Sequence, residues 1–142
     1  MTAKRDARLD LLAGIDLFHG LSRRDLLRIA SLSTEISLPE GSVLCREGQR
    51  ALEAFILVEG SVAVSSDGRP VAMLRPGTAF GEIAMLDNKP RNATVVATSQ
   101  VSVLVLTPQE LSSVLDLVPA LGRQLRVTAQ ERKTELEYVL AS

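Results

Sequence analysis

Apolar and polar positions change rhythm twice along this chain. From about Arg5 to Leu32, the apolar residues Leu9, Leu12, Ala13, then Leu26, Leu27, Ile29 and Ala30 fall at helical spacing. Ser22, three residues ahead of Asp25, has the form of a helix start, because its side-chain oxygen can accept from N–H groups that the first turn leaves unpaired. The segment predicts two short helices joined near Phe18–Gly20. From Thr34 to Leu106 the pattern shortens to aliphatic and β-branched runs: Ile36–Leu38, Ser42–Cys45, Phe55–Val58, Ser61–Val64, Val71–Leu74, Thr94–Thr98 and Val101–Leu106. Glycines at 41, 48, 60, 68, 77 and 81 punctuate them, as tight turns between antiparallel strands require. Seven or eight short strands at this spacing predict a sandwich, a roll or a barrel. Asp67-Gly68 between Val64 and Val71 predicts a hairpin, with a connection slightly longer than the two-residue form.

Helical signals return at Thr107-Pro108. Thr107 can cap, Pro108 suits the first turn, and Glu110 follows the cap by three residues, which is the pattern of a capping box. A second helix is expected from near Pro119 to about Leu140. Its apolar positions Leu121, Leu125, Leu136, Val139 and Leu140 are interrupted by the polar stretch Gln130–Glu135, so a pairing helix for a homodimer is permitted but weakly specified. No internal repeat, low-complexity stretch or linker divides the chain, and the layout is helices, strands, then helices.

Composition narrows the chemistry. The 142 residues are 46% hydrophobic and 23% charged, the balance of a globular protein, and they amount to one domain with no room for a separate large catalytic one. Aromatic residues are 3%, so the core is aliphatic. Sixteen Lys and Arg against 17 Asp and Glu leave a net charge of −1, without the basic surplus that nucleic acid or an anionic membrane would demand. One cysteine, Cys45, and one histidine, His19, exclude an internal disulfide and any multi-histidine metal centre. The charged N-terminus is neither a signal peptide nor a membrane span. A cytoplasmic protein with no metal and no cofactor is expected.

The most informative stretch runs from Arg75 to Val95, Arg-Pro-Gly-Thr-Ala-Phe-Gly-Glu-Ile-Ala-Met-Leu-Asp-Asn-Lys-Pro-Arg-Asn-Ala-Thr-Val. Gly77 and Gly81 permit sharp turns and close approach of a ligand to the backbone. A helical turn after Gly81 would present free N–H groups to an anion. Pro90 stiffens the approach to Arg91, whose planar fork suits two phosphate oxygens. Glu82 and Arg91, on either side of this turn, could form no more than a surface ion pair worth under about 1 kcal/mol. The clustered glycines and the Pro-Arg start of the next strand favour a ligand carrying both hydroxyl and phosphate.

Phe80-Gly81-Glu82-Ile83-Ala84 followed by Pro90-Arg91-Asn92-Ala93-Thr94-Val95 resembles the phosphate-binding cassette of cyclic nucleotide-binding domains. Domains of this kind occur in the regulatory subunit of the cAMP-dependent protein kinase and in the bacterial catabolite activator protein. Gly41, Gly48, Gly60 and Gly77, the strand Gly60-Ser-Val-Ala-Val64 and the entry Asp16-Leu-Phe-His-Gly-Leu-Ser22 extend the similarity from about residue 14 to residue 140. The resemblance implies an α+β fold of one domain over 1–142: an antiparallel eight-stranded β-roll, jelly-roll-like, at 33–107 with its cassette at 80–95. N-terminal helices at 5–32 and C-terminal helices at 108–141 flank it.

Carried over position by position, the resemblance implies that Glu82 accepts the ribose 2′-hydroxyl and that Arg91 pairs with the exocyclic oxygens of the cyclic phosphate. Backbone N–H groups around Ile83, Ala84 and Ala93 complete the cradle that Phe80 and Gly81 lead into. Val64 and Val71 pack against the purine, and Arg132 or Leu136 closes over it from the last helix. Asn92 departs from the Ser, Thr or Ala usual there; a Thr at that place often helps bind guanine in cGMP-preferring relatives, so Asn92 leaves the base preference open, and cAMP is expected ahead of cGMP from the habit of the family that the chain resembles. Ala54 starts a strand where a larger aliphatic is usual.

The remaining candidates read as structure. His19 is expected at a surface turn and Cys45 in the core. Asp87 reads as turn chemistry, and Arg23-Arg24 and Arg132-Lys133 as solvated helix faces. The expected function is therefore a non-enzymatic cyclic-nucleotide sensor signalling to an effector protein through its C-terminal helix. Its alternative is a nucleotide-independent interaction domain on the same fold. A DNA-binding activator would need about 50 further residues for a helix-turn-helix, and a cupin-type metalloenzyme more histidines.

Overall fold

The computed structural model describes residues 2–15, 18–80 and 90–124. Helices α1 (Thr2–Ala13) and α2 (Arg23–Leu32) precede strands β1 (Thr34–Leu38), β2 (Val43–Cys45), β3 (Ala54–Glu59), β4 (Val62–Ser66), β5 (Arg69–Leu74), β6 (Ala79–Phe80), β7 (Thr94–Ala97) and β8 (Val101–Leu106). Helix α3 (Pro108–Leu117) follows, and residues 119–124 are helical again. The strands form two antiparallel four-stranded sheets, in the orders β1-β8-β3-β6 and β2-β7-β4-β5. This is the eight-stranded roll with flanking helices.

Side-chain alternation along β3 and β8 sorts the molecule into three layers. Phe55 and Leu57 of β3, with Val101, Val103 and Val105 of β8, face between the sheets, where they meet Val62, Val64, Leu74, Val95 and Ala97. Ala54, Ile56, Leu104 and Leu106 face the other way, onto Leu9 and Leu12 of α1, Leu26 and Ile29 of α2, and Leu111 and Val114 of α3. Apolar runs in these strands are continuous because both of their faces are covered. The helical layer is also pinned by charge: Arg8 pairs with Glu35 at 2.6 Å, Glu35 accepts in turn from Ser102 Oγ at 3.1 Å, and Arg23 pairs with Asp6.

Both helix starts form as the side-chain pattern requires. Ser22 Oγ accepts from the Asp25 N–H at 3.1 Å. Around Thr107 the capping box is reciprocal, with Glu110 N–H donating to Thr107 Oγ1 at 3.2 Å and Thr107 N–H to Glu110 Oε1 at 2.9 Å.

One turn differs from expectation. Ser66 pairs with Arg69, so Asp67-Gly68 forms a two-residue connection, and both residues have positive φ, 54° and 76°, the handedness that matches strand twist. The additional length lies in the strand, where pairing slips from Val64↔Ala72 to Ser65↔Pro70 and leaves Val71 as a bulge. Pro70 is tolerated because β5 is an edge strand. Strand β6 has no signal of its own: its two residues are held by pairing Phe55↔Phe80 and Ile56↔Ala79.

Candidate ligand-binding site

Arg91 is the charged residue that this architecture hides most deeply among the described residues, with 5% of its surface exposed. It precedes β7 and is fixed first by its backbone. Its N–H donates to the Gln49 carbonyl at 2.9 Å, and its own carbonyl accepts from the Gly48 N–H at 3.0 Å. The neighbouring Pro90 bridges to Arg50. The side chain then runs inward, and Nη2 donates to the carbonyl oxygen of Glu53, immediately before β3. A guanidinium in such a place must be compensated by acceptors.

Three ionisable groups share this corner. Burial pushes the Cys45 thiol up to about 11, the Arg91 guanidinium draws it down, and the Glu53 carboxylate raises it further. Desolvation wins, so Cys45 is a neutral core thiol beside the arginine, in agreement with its expected packing role.

Beside this corner stands an apolar wall. Val64 and Ala93 are buried, and Val71 is half-buried at its bulge, all within the interior of the roll. Phe80 also points inward and stacks on Phe55, with centroids 5.1 Å apart and ring planes at 19°. Its side chain is thus a packing element, and only its backbone lies at the exit of β6. Asn92 is half-buried, and its carbonyl accepts from Ser66 Oγ at 3.0 Å. The structure therefore brings Val64, Val71, Phe80, Ala93, Asn92 and Arg91 to one region of the roll. Gly81, Glu82, Ile83, Ala84, Arg132 and Leu136 lie outside the described residues.

Sequence reasoning missed the residues that hold the arginine, Glu53 through its carbonyl and Gln49 and Gly48 through their backbones, and Ser66 at the hairpin tip, which holds the Asn92 carbonyl. Arg91 and Glu53 are 38 positions apart, and no local pattern links them. Only a correct pairing of the strands could have done so. His19 is exposed, and its carbonyl accepts from Gln124 Nε2 at 3.4 Å, which agrees with a surface turn. Among the described residues no group of three or more His, Cys, Asp and Glu could hold a metal ion, and no helix is long and apolar enough to cross a membrane.

The family model of the cyclic nucleotide-binding domain matches residues 35–117, from β1 to the end of α3. The chain belongs to this family. It is 35% identical over 123 residues to a cyclic nucleotide-gated potassium channel of Rhizobium etli, covering 87% of this chain and 34% of the channel. It is 35% identical over 108 residues to the cAMP-dependent protein kinase regulatory subunit of Debaryomyces hansenii, covering 75% of this chain and 24% of that protein. Among solved structures, the catabolite activator protein of Thermus thermophilus superposes with a TM-score of 0.75 at 26% identity, over 82% of this chain and 57% of that one. The chain spans about a third of the length of the curated relatives it matches. The matched range excludes α1 and α2, yet their side chains complete the helical core.

Proposed function

We propose that this domain is a cyclic-nucleotide sensor, a binding module without a catalytic step, whose ligand is cAMP in preference to cGMP. The observation that carries the reading is Arg91: a buried arginine held by the loop before β3, through its backbone to Gly48 and Gln49 and through its guanidinium to the Glu53 carbonyl, inside the range that the family model matches. A cyclic phosphate offers such a fork two oxygens in bidentate geometry.

Glu82 would accept the ribose 2′-hydroxyl, backbone N–H groups of Ile83, Ala84 and Ala93 would complete the phosphate cradle, and Phe80 and Gly81 would lead the chain into it. Val64 and Val71 would form the purine-facing wall, Asn92 would stand beside the phosphate, and Arg132 or Leu136 would close over the base. Closure of the C-terminal helix on the bound nucleotide would be a two-state change, driven by the difference in affinity between its two positions. The signal would reach an effector protein in the cytoplasm, with a homodimer through that helix as the assembly. A net charge of −1 supports a small anion as the ligand, in place of nucleic acid or a membrane surface.

Calorimetry and thermal unfolding with cAMP and cGMP test this. Ligand at one hundred times its Kd should stabilise the fold by about 2.7 kcal/mol, with cAMP effective at the lower concentration. Arg91→Ala should weaken binding by about 100-fold or more, the scale of a charged pair stripped of one partner, and Arg91→Lys should lose the bidentate share of it. Absence of heat and of stabilisation at millimolar nucleotide would overturn the reading in favour of a nucleotide-independent interaction domain.

A further inference from the structure

The ladder between β4 and β7 ends at Ser65↔Thr94. Beyond that pair one strand turns through Asp67-Gly68, and the other leads back to Asn92 and Arg91. Two side chains bridge the gap between them. Ser66 Oγ donates to the Asn92 carbonyl at 3.0 Å. Glu47, from the loop after β2, accepts through Oε1 from the Asp67 N–H at 2.8 Å, and its own N–H donates to Thr94 Oγ1 at 3.0 Å. The next two residues of that loop, Gly48 and Gln49, hold both backbone groups of Arg91. Glu47 thus stands between the hairpin tip and the arm that carries the arginine. The N–H it accepts belongs to Asp67, whose φ of 54° lies in the left-handed region that few non-glycine residues occupy. A charge-assisted bond to that N–H favours the turned conformation over more open ones.

We infer that Glu47 is a positioning residue: its carboxylate ties the hairpin bearing Val64 and Val71 to the arm bearing Arg91, and so sets the distance between the purine-facing wall and the phosphate-binding guanidinium. The inference rests on the nucleotide reading of this site. Glu47 acts through these two elements and makes no ligand contact of its own. Its role differs from that of an ordinary turn-closing side chain, which would stabilise the hairpin and leave ligand affinity alone.

The test compares the full chain with Glu47→Ala and Glu47→Gln. Affinity for cAMP is read by calorimetry, and the Asp67 amide exchange rate and the Arg91 Nε–H resonance are read by NMR without nucleotide. Glu47→Ala is expected to speed Asp67 exchange, move the Arg91 resonance and weaken cAMP about three- to tenfold, the span of one hydrogen bond's net contribution. Glu47→Gln keeps an acceptor oxygen and is expected to restore the resonance and bring affinity within about twofold of the parent. Wild-type affinity in Glu47→Ala with an unmoved Arg91 resonance overturns the inference, even if Asp67 exchanges faster. So does a Glu47→Gln variant as weak as Glu47→Ala. A parent protein indifferent to cAMP and cGMP defeats the nucleotide reading instead; the Arg91 resonance then decides alone, supporting positioning if Glu47→Ala moves it and Glu47→Gln restores it, and refuting it if it stays.

Discussion

At Cys45, burial and charge act in opposite directions, and burial prevails. The folded thiol titrates at about 11 against an ordinary 9.0. Because the folded value is the higher one, protonated Cys45 favours the native state fully below pH 9, and that contribution is lost as pH rises from 9 toward 11. Unfolding by urea at a series of pH values should therefore show stability falling across that window, with the fall reduced in Cys45→Ala. The same burial keeps the nucleophilic thiolate scarce. Alkylation by iodoacetamide at pH 8 should be slow in the native protein and fast in denaturant; rapid native labelling would contradict the placement of this side chain. The sequence made the core role of Cys45 readable, since it stands in an aliphatic run. Its position beside Arg91 and Glu53 was not readable, because that depends on strands brought together over dozens of residues.

Elements were legible where a short-range rule governs them. The Ser22 and Thr107 caps are local hydrogen bonds, and the side-chain types that make them are visible directly. Thr107→Ala should cost about 1 kcal/mol, measured as a lowered urea midpoint with an unchanged slope. The turn between β3 and β4 is governed just as tightly. Gly60 has φ 86°, and a Cβ there would lie 2.3 Å from the Gln100 carbonyl and 2.8 Å from Ser99 Oγ and from Val101 Cγ1. Left-handed geometry alone costs a side chain roughly 1–2 kcal/mol, and a backbone carbonyl cannot move aside as a flexible side chain would. Gly60→Ala should destabilise by about 2–4 kcal/mol, and a thermal midpoint equal to that of the parent would refute this account. By contrast, β6 has two residues and no periodicity to read, and the bulge at Val71 lengthens the stretch between the aliphatic runs without lengthening the turn. Both are set by the partner strand, which a single stretch of sequence does not reveal.

At the scale of the whole molecule, the helical layer and the roll share β3 and β8, whose two faces serve one core each. That arrangement joins the first helices to a domain whose family match begins only at residue 35. It also carries α3 and residues 119–124, since Leu111, Val114, Val118 and Leu121 pack in the same cluster as Leu9, Leu12 and Ile29. If the layers are one cooperative unit, a cavity in either should weaken both equally. Leu12 in the helical layer and Leu57 between the sheets are each fully buried, at 0% exposure, so Leu12→Ala and Leu57→Ala should each cost about 2–5 kcal/mol. Each should move a single urea transition without changing its slope. An independent helical appendage would give a different result: Leu12→Ala would split off an early helical transition in circular dichroism and leave amide protection in β8 intact. Loss of β8 protection in Leu12→Ala, matching that in Leu57→Ala, would establish that residues ahead of the matched family range are part of the folding unit that presents Arg91.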